Sequence, residues 1–234
     1  MTITTGRGAW SQTGMGYPGV YYQLPPANTP YVGSNAVQDA HLDQSCNNFR
    51  AVNWGVKAIQ SRCNELVNSK LVVDGWFGTL TDSAVRYAQA KLHLAVDGAV
   101  GPATAKAFWR PLVVLSEAAH GLSGNYTGGI MFHESGYDPG AVGYTTPGDK
   151  GLDQWNSTPY DEAFDYHWSI PQTAARFATA WQNYAGKGAK LQIACSIAQH
   201  NSPTSAASWY AKTTPPNTAI ADYVNAVLTA SAAF

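Results

Sequence analysis

The chain has 234 residues, room for one large domain or two small ones. Hydrophobic residues make up 45%, an ordinary globular share, but charged residues reach only 12%, about half of what is usual. A net charge of -1 lacks the basic clusters that phosphate binding requires, which excludes nucleic acid as the partner.

Three cysteines, Cys46, Cys63 and Cys195, are an odd number at wide spacing, neither a disulfide framework nor a zinc pattern. Cys63 and Cys195 fall within helical patterns and read as small buried hydrophobes; pairing of Cys46 with Cys63 stays open. The six histidines form no His-Glu-x-x-His or similar cluster, so no metal and no cofactor are expected. The 8 Trp and 13 Tyr suit a core, and in a weakly charged protein their exposed faces also suit stacking on sugar rings. Met1 to Tyr22 holds no apolar run of signal-peptide length. No stretch reaches about 18 apolar residues, so no membrane insertion is expected.

Residues 1–35 are rich in Gly, Pro, Tyr, Thr and Ser. Pro18, Pro25, Pro26 and Pro30 forbid a long helix there. Trp10, Tyr17, Tyr21, Tyr22 and Tyr31 can bury area, which predicts an irregular arm packed on a neighbouring domain or partner. After a polar stretch, Val52, Val56, Ile59, Cys63, Leu66 and Val67 recur at spacings of three and four and predict a helix over 52–67.

An internal repeat follows. Val73-Asp74-Gly75-Trp76-Phe77-Gly78 returns 23 residues later as Val96-Asp97-Gly98-Ala99-Val100-Gly101. Each copy continues with Thr three residues after its last Gly, Thr81 and Thr104, and enters a helix with Ala84 and Ala107 at matching places. Asp-Gly makes a tight turn with a positive φ residue. Pro102 suits the first position of a helix, where its missing N–H costs nothing. The second helix is expected to run to about Trp109, with Arg110-Pro111-Leu112 closing the unit. Together with Ile59-Gln60 and Gln89, these turns resemble the type 1 peptidoglycan-binding domain, a small three-helix bundle, over about residues 50–112. In that resemblance the Asp and Gly residues are turn-makers first.

Leu112 to Ala119 reads as a helical stretch ending near Gly121, and Ser123 to Gly129 as a loop-rich entry to the next helix. There Glu134 ends the apolar run Ile130-Met131-Phe132, and Gly136, Asp138, Pro139 and Gly140 supply turn chemistry at once. A carboxyl so placed meets apolar side chains on one side and an open cleft on the other. Desolvation then favours the protonated form that a general acid needs near neutral pH. The alternative is a carboxyl that merely decorates a helix end. Residues 136–171 read as mostly irregular cleft wall. A helix is expected from Pro171 to Tyr184, with Gly186 beyond its end. Leu191 to Gln199, apolar on nearly all sides, is the expected central buried helix, and Ala206–Ala211 and Ala219–Ala230 are two short ones.

Three motifs in this half resemble, in order over about 70 residues, the core of the lytic transglycosylase and goose-type lysozyme superfamily. They are Glu134-Ser135-Gly136-Tyr137-Asp138-Pro139, then Gly151-Leu152-Asp153-Gln154, then Ser196-Ile197-Ala198-Gln199-His200-Asn201. Asp153 stands where the family has Met, and His200 where it has Tyr. The resemblance implies cleavage of the β-1,4 link between N-acetylmuramic acid and N-acetylglucosamine, with Glu134 as general acid and then base. It implies substrate contacts from Ser135, Gln154 and Asn201, and for His200 the part of the Tyr that bonds the catalytic carboxyl. A neutral imidazole can take that part; a protonated one would impair the acid. A satisfied helix-end histidine and a loop-capping amide are the plainer readings of His200 and Gln154. Lytic transglycosylases need no second carboxylate, whereas hydrolases position a water with one; Asp149, Asp153 and Asp161 are the candidates, and Asp138 reads as a turn cap.

The expectation is therefore a mainly α protein: an irregular arm over 1–35, a peptidoglycan-binding three-helix bundle within 36–112, and a larger lysozyme-like, mostly helical domain over 113–234. Its partner would be bacterial peptidoglycan. The resemblance favours a phage lysin of transglycosylase type, made in the host cytoplasm and acting on the wall, with the arm attaching it to a larger particle. A hydrolytic muramidase and a non-catalytic wall-binding protein are the alternatives.

Overall fold

The computed structural model describes residues 54–75, 77–141, 149–156 and 158–234. The expected arm over 1–35, the polar stretch after it and Cys46 lie outside the described residues. Among the described residues there are nine helices and no strand, which is the mainly α class expected from sequence. In chain order they are α1 (Trp54–Val67), α2 (Thr79–Lys91), α3 (Pro102–Ala118), α4 (Tyr126–Ser135), α5 (Tyr160–Phe164), α6 (Tyr166–Asn183), α7 (Ala189–Asn201), α8 (Pro203–Lys212) and α9 (Thr218–Ala233). By contacts the chain divides into two units. One holds the described residues up to Phe108 together with Ser135–Tyr166, the other Trp109–Glu134 and His167–Phe234.

The first unit is built on the repeat. Each copy is pinned by one buried glutamine from the helix before it. Gln60 accepts from the Gly75 N–H at 2.9 Å and donates to Asp74 at 2.8 Å and Thr81 at 3.2 Å. Gln89 accepts from Gly98 N–H at 2.9 Å and donates to Asp97 at 2.7 Å and Thr104 at 3.1 Å. Gly75 and Gly98 hold φ of 80° and 72°, the left-handed turn that the Asp-Gly pairs predict. Burial raises the Asp97 carboxyl, but hydrogen bonds from the Ala99 N–H and the Gln89 amide outweigh it and hold it below its usual range. Around these networks Val56, Ile59, Cys63, Phe77, Val85 and Val100 are buried, each contributing about 1.5–3 kcal/mol for the larger apolar side chains. Burial pushes the Cys63 thiol up to about 12, the behaviour of a buried hydrophobe rather than a nucleophile.

Residues 135–166 join this unit. Trp54 stacks on Phe164 at 5.8 Å, and the Tyr166 hydroxyl bonds Glu65 at 2.6 Å and Ser61 at 3.1 Å. That anchor explains one departure from expectation. The helix expected to begin at Pro171 begins at Tyr166, with Pro171 inside it. A second departure is larger. No break occurs at Arg110-Pro111-Leu112; α3 runs on to Ala118 with Pro111 in its interior. An interior proline costs about 3 kcal/mol. Pro111 sits on the exposed side, where water can take a freed carbonyl, while Phe108, Trp109 and Val113 are fully buried and offset the loss.

In the second unit, α7 is central as expected, with Ala194 to Ala198 buried, and it packs against α8 and α9. Tyr126, Phe177 and Trp181 stack at centroid distances of 4.7 to 6.4 Å. Cys195 at the middle of α7 is a free buried thiol pushed up to about 11. The stretch before Glu134 is more regular than expected: α4 begins at Tyr126 and takes Gly128 and Gly129 into the helix.

Candidate functional site

Glu134 lies near the C-terminal end of α4, and three features of the second unit hold it there. The first is Glu117, fully buried near the end of α3. Its carboxylate accepts from the backbone N–H groups of Asn125 at 2.8 Å and Thr127 at 2.6 Å, so it caps the start of α4. Burial raises the Glu117 carboxyl above its ordinary range, and these hydrogen bonds oppose the shift. The second is the close approach of α4 to α9. A Cβ on Gly129 would lie 2.4 Å from the Val227 carbonyl oxygen and 2.1 Å from the Ser231 hydroxyl, so only glycine fits. The third is the result of that approach: Tyr223, on the buried face of α9, donates its hydroxyl to Glu134 Oε1 at 2.8 Å.

Glu134 is thus a partly sheltered carboxyl, its side chain 19% exposed. His200, from the end of α7, brings Nε2 to 3.9 Å from Glu134 Oε1. That is too long for a hydrogen bond but close enough for an imidazolium to attract the carboxylate. His133 packs edge-on against the Tyr223 ring at 4.5 Å, and burial holds its imidazole below 6.5, so it stays neutral at physiological pH. The arrangement therefore offers one carboxyl, one hydroxyl donor and one titratable imidazole around the same oxygen. A carboxyl so held can give a proton to a leaving oxygen and take one back.

Sequence reasoning named Glu134 and His200, which the fold brings together. It did not name Tyr223, His133 or Glu117. The signal for Tyr223 was present in Ile220, Tyr223, Val224 and Val227, an apolar stripe whose one polar tip must find a partner. The resemblance assigns the bond to the Glu134 carboxyl to the His200 imidazole, which stands 3.9 Å away; the Tyr223 hydroxyl, two helices further on, donates one at 2.8 Å.

The other named residues have these surroundings. Asn201 is exposed at the end of α7, next to His200. Ser135 is fully buried, and its carbonyl accepts from the Asp138 N–H at 3.1 Å. Asp138 in turn accepts from the Gly140 N–H at 2.9 Å, the turn cap expected of it. Lys150 and Trp155 pair as an isolated antiparallel bridge, and Gln154 closes the turn between them, donating its side-chain amide to the Gly151 carbonyl at 2.9 Å. Of the candidate second carboxylates, Asp149 accepts from Asn156 at 2.8 Å, Asp153 is buried, and Asp161 is exposed in the first turn of α5. Among the described residues no group of three or more His, Cys, Asp or Glu could hold a metal ion. No helix of the described residues is long and apolar enough to cross a membrane.

Residues 54–108, the span of both Asp-Gly turns and their glutamines, match the family model of a putative peptidoglycan binding domain. The chain is thus a mainly helical protein that carries a peptidoglycan-binding domain, and bacterial peptidoglycan is the partner this domain indicates. No curated protein and no solved structure matches the chain.

Proposed function

We propose that this protein is a peptidoglycan-cleaving lysin, with Glu134 as the general acid and base at the bond between N-acetylmuramic acid and N-acetylglucosamine. The observation that carries the reading is the sheltered Glu134 carboxyl with the Tyr223 hydroxyl on its oxygen and His200 beside it. Beside a domain for the wall, this is the equipment that protonation of a glycosidic oxygen requires. Glu134 protonates the leaving oxygen as positive charge develops on the sugar. The resulting carboxylate, held by Tyr223, then removes a proton from the muramic C6 hydroxyl, and a 1,6-anhydro ring closes. The lytic transglycosylase course is favoured because one carboxyl suffices for it. The hydrolytic course needs a second carboxylate to direct water. The protein acts at the bacterial wall in this reading, and Asn201, exposed beside His200, contributes a substrate contact.

Glu134→Gln tests the proposal. The substitution is expected to lower lysis of purified walls by about 10²–10⁴-fold while pelleting with walls is unchanged. Undiminished lysis would rule Glu134 out. Mass spectrometry of released muropeptides decides the product: anhydro ends for the transglycosylase, reducing ends for the hydrolase.

A further inference from the structure

The second unit contains a groove of about 390 Å³ between α4, α6 and α7, within the size range of small-ligand sites. Ile130, Phe177 and Ala180 give it an apolar base, and Gln172, Thr173, Arg176, Gln199 and His200 are among its polar lining. Among its described lining residues the Arg176 guanidinium carries a permanent positive charge.

Thr173 is the informative residue. It is fully buried, and its hydroxyl has no hydrogen-bond partner among the described residues. A helical hydroxyl can usually be satisfied by the carbonyl one turn back, as Ser196 is in the same groove by Gln192 at 2.7 Å. A buried hydroxyl left unsatisfied costs stability, so it points to a group that arrives from outside. Gln199 is half-committed: its carbonyl oxygen accepts from the Tyr184 hydroxyl at 2.5 Å, which leaves the amide nitrogen to donate. His200 belongs both to this lining and to the surroundings of Glu134, so the groove leads to the proposed acid.

We propose that the groove is a binding subsite for a muramyl peptide, the peptide-bearing sugar of the wall. In it Thr173 and Gln199 hydrogen-bond hydroxyl or amide groups, and Arg176 meets a peptide carboxylate. This assignment rests on the reading of the protein as a peptidoglycan-cleaving enzyme and identifies which part of the substrate the second unit holds.

The test uses the full chain, as wild type and as Glu134→Gln, titrated calorimetrically with N-acetylmuramyl dipeptide, which has a carboxylate, and with triacetylchitotriose, which has none. The dipeptide is expected to bind, and Thr173→Val and Arg176→Gln are each expected to weaken it at least about fivefold, one lost hydrogen bond or ion pair. Chitotriose binding should be indifferent to Arg176→Gln. Thr173→Val should also raise Tm by a few degrees, because it removes a buried hydroxyl that only ligand satisfies. That opposition of tighter folding and weaker binding is not what a purely structural threonine gives. Dipeptide binding that neither substitution changes, or no binding at all, overturns the proposal. If Glu134→Gln still lyses walls, the catalytic reading fails, and the titrations report on the groove separately.

Discussion

Glu134 owes its surroundings to side chains close in space and distant in sequence. Tyr223 is 89 positions away and supplies a hydrogen bond to a carboxyl, worth about 1.5–3 kcal/mol when the acceptor is charged. Tyr223→Phe is therefore expected to lower kcat about tenfold or more on wall substrate, with KM nearly unchanged, in a turbidity assay. An unaltered kcat would mean that the hydroxyl only serves the fold. His133 gives a pH signature. Its folded value lies below the ordinary 6.5 through burial, so the unfolded chain takes up the proton first as pH falls. Its contribution to stability is full above about pH 6.5 and declines as pH drops toward the folded value. Urea midpoints should thus fall on going from about pH 7.5 to pH 5, and His133→Gln should flatten that part of the slope.

The helices depend on buried polar groups as much as on apolar stripes. Glu117 links the end of α3 to the start of α4, and Glu117→Ala would leave the Asn125 and Thr127 N–H groups unsatisfied. The expected loss is about 3 kcal/mol in urea unfolding, with Glu117→Gln intermediate because it keeps an acceptor. Gly129→Ala tests the approach of α4 to α9. The Val227 carbonyl in its way is backbone and cannot move cheaply, so a cost of about 1–3 kcal/mol and reduced lysis are expected together. Most helical stretches were legible in the spacing of apolar residues, and the Asp-Gly turns in their residue chemistry, but α5 and the start of α4 fell where loops were expected. Nor were the two interior prolines legible. Local preference breaks a helix at Pro111 or Pro171, and only the burial of Phe108, Trp109 and Val113, or the anchoring of Tyr166 on Glu65, overrides it.

At the scale of the whole molecule, the chain combines a wall-binding domain with a second helical unit that carries the proposed acid. Gln60 and Gln89 offer a way to impair the first while leaving the residues around Glu134 unchanged. Replacing both by Leu removes the partners of two turn N–H groups and two Asp carboxylates, at about 1–3 kcal/mol for each buried group. The double variant should lose most pelleting with purified walls yet retain turnover of soluble glycan fragments. Equal loss of both would show that binding and turnover are not separable in this way.

The sequence by itself determined the helical class and the two Asp-Gly turns with their glutamines, and it singled out Glu134 and His200, which the fold places 3.9 Å apart. These are local matters: period, turn residues and short motifs act over a few positions, and a chain carries them wherever it folds. The tertiary structure alone decided that Tyr223 donates to Glu134, that Glu117 fastens α4, and that Thr173 lies buried in a groove leading toward His200. Each depends on which helix faces which, set by the fit of whole surfaces such as the glycine contact of α4 with α9. No spacing along the chain encodes that fit.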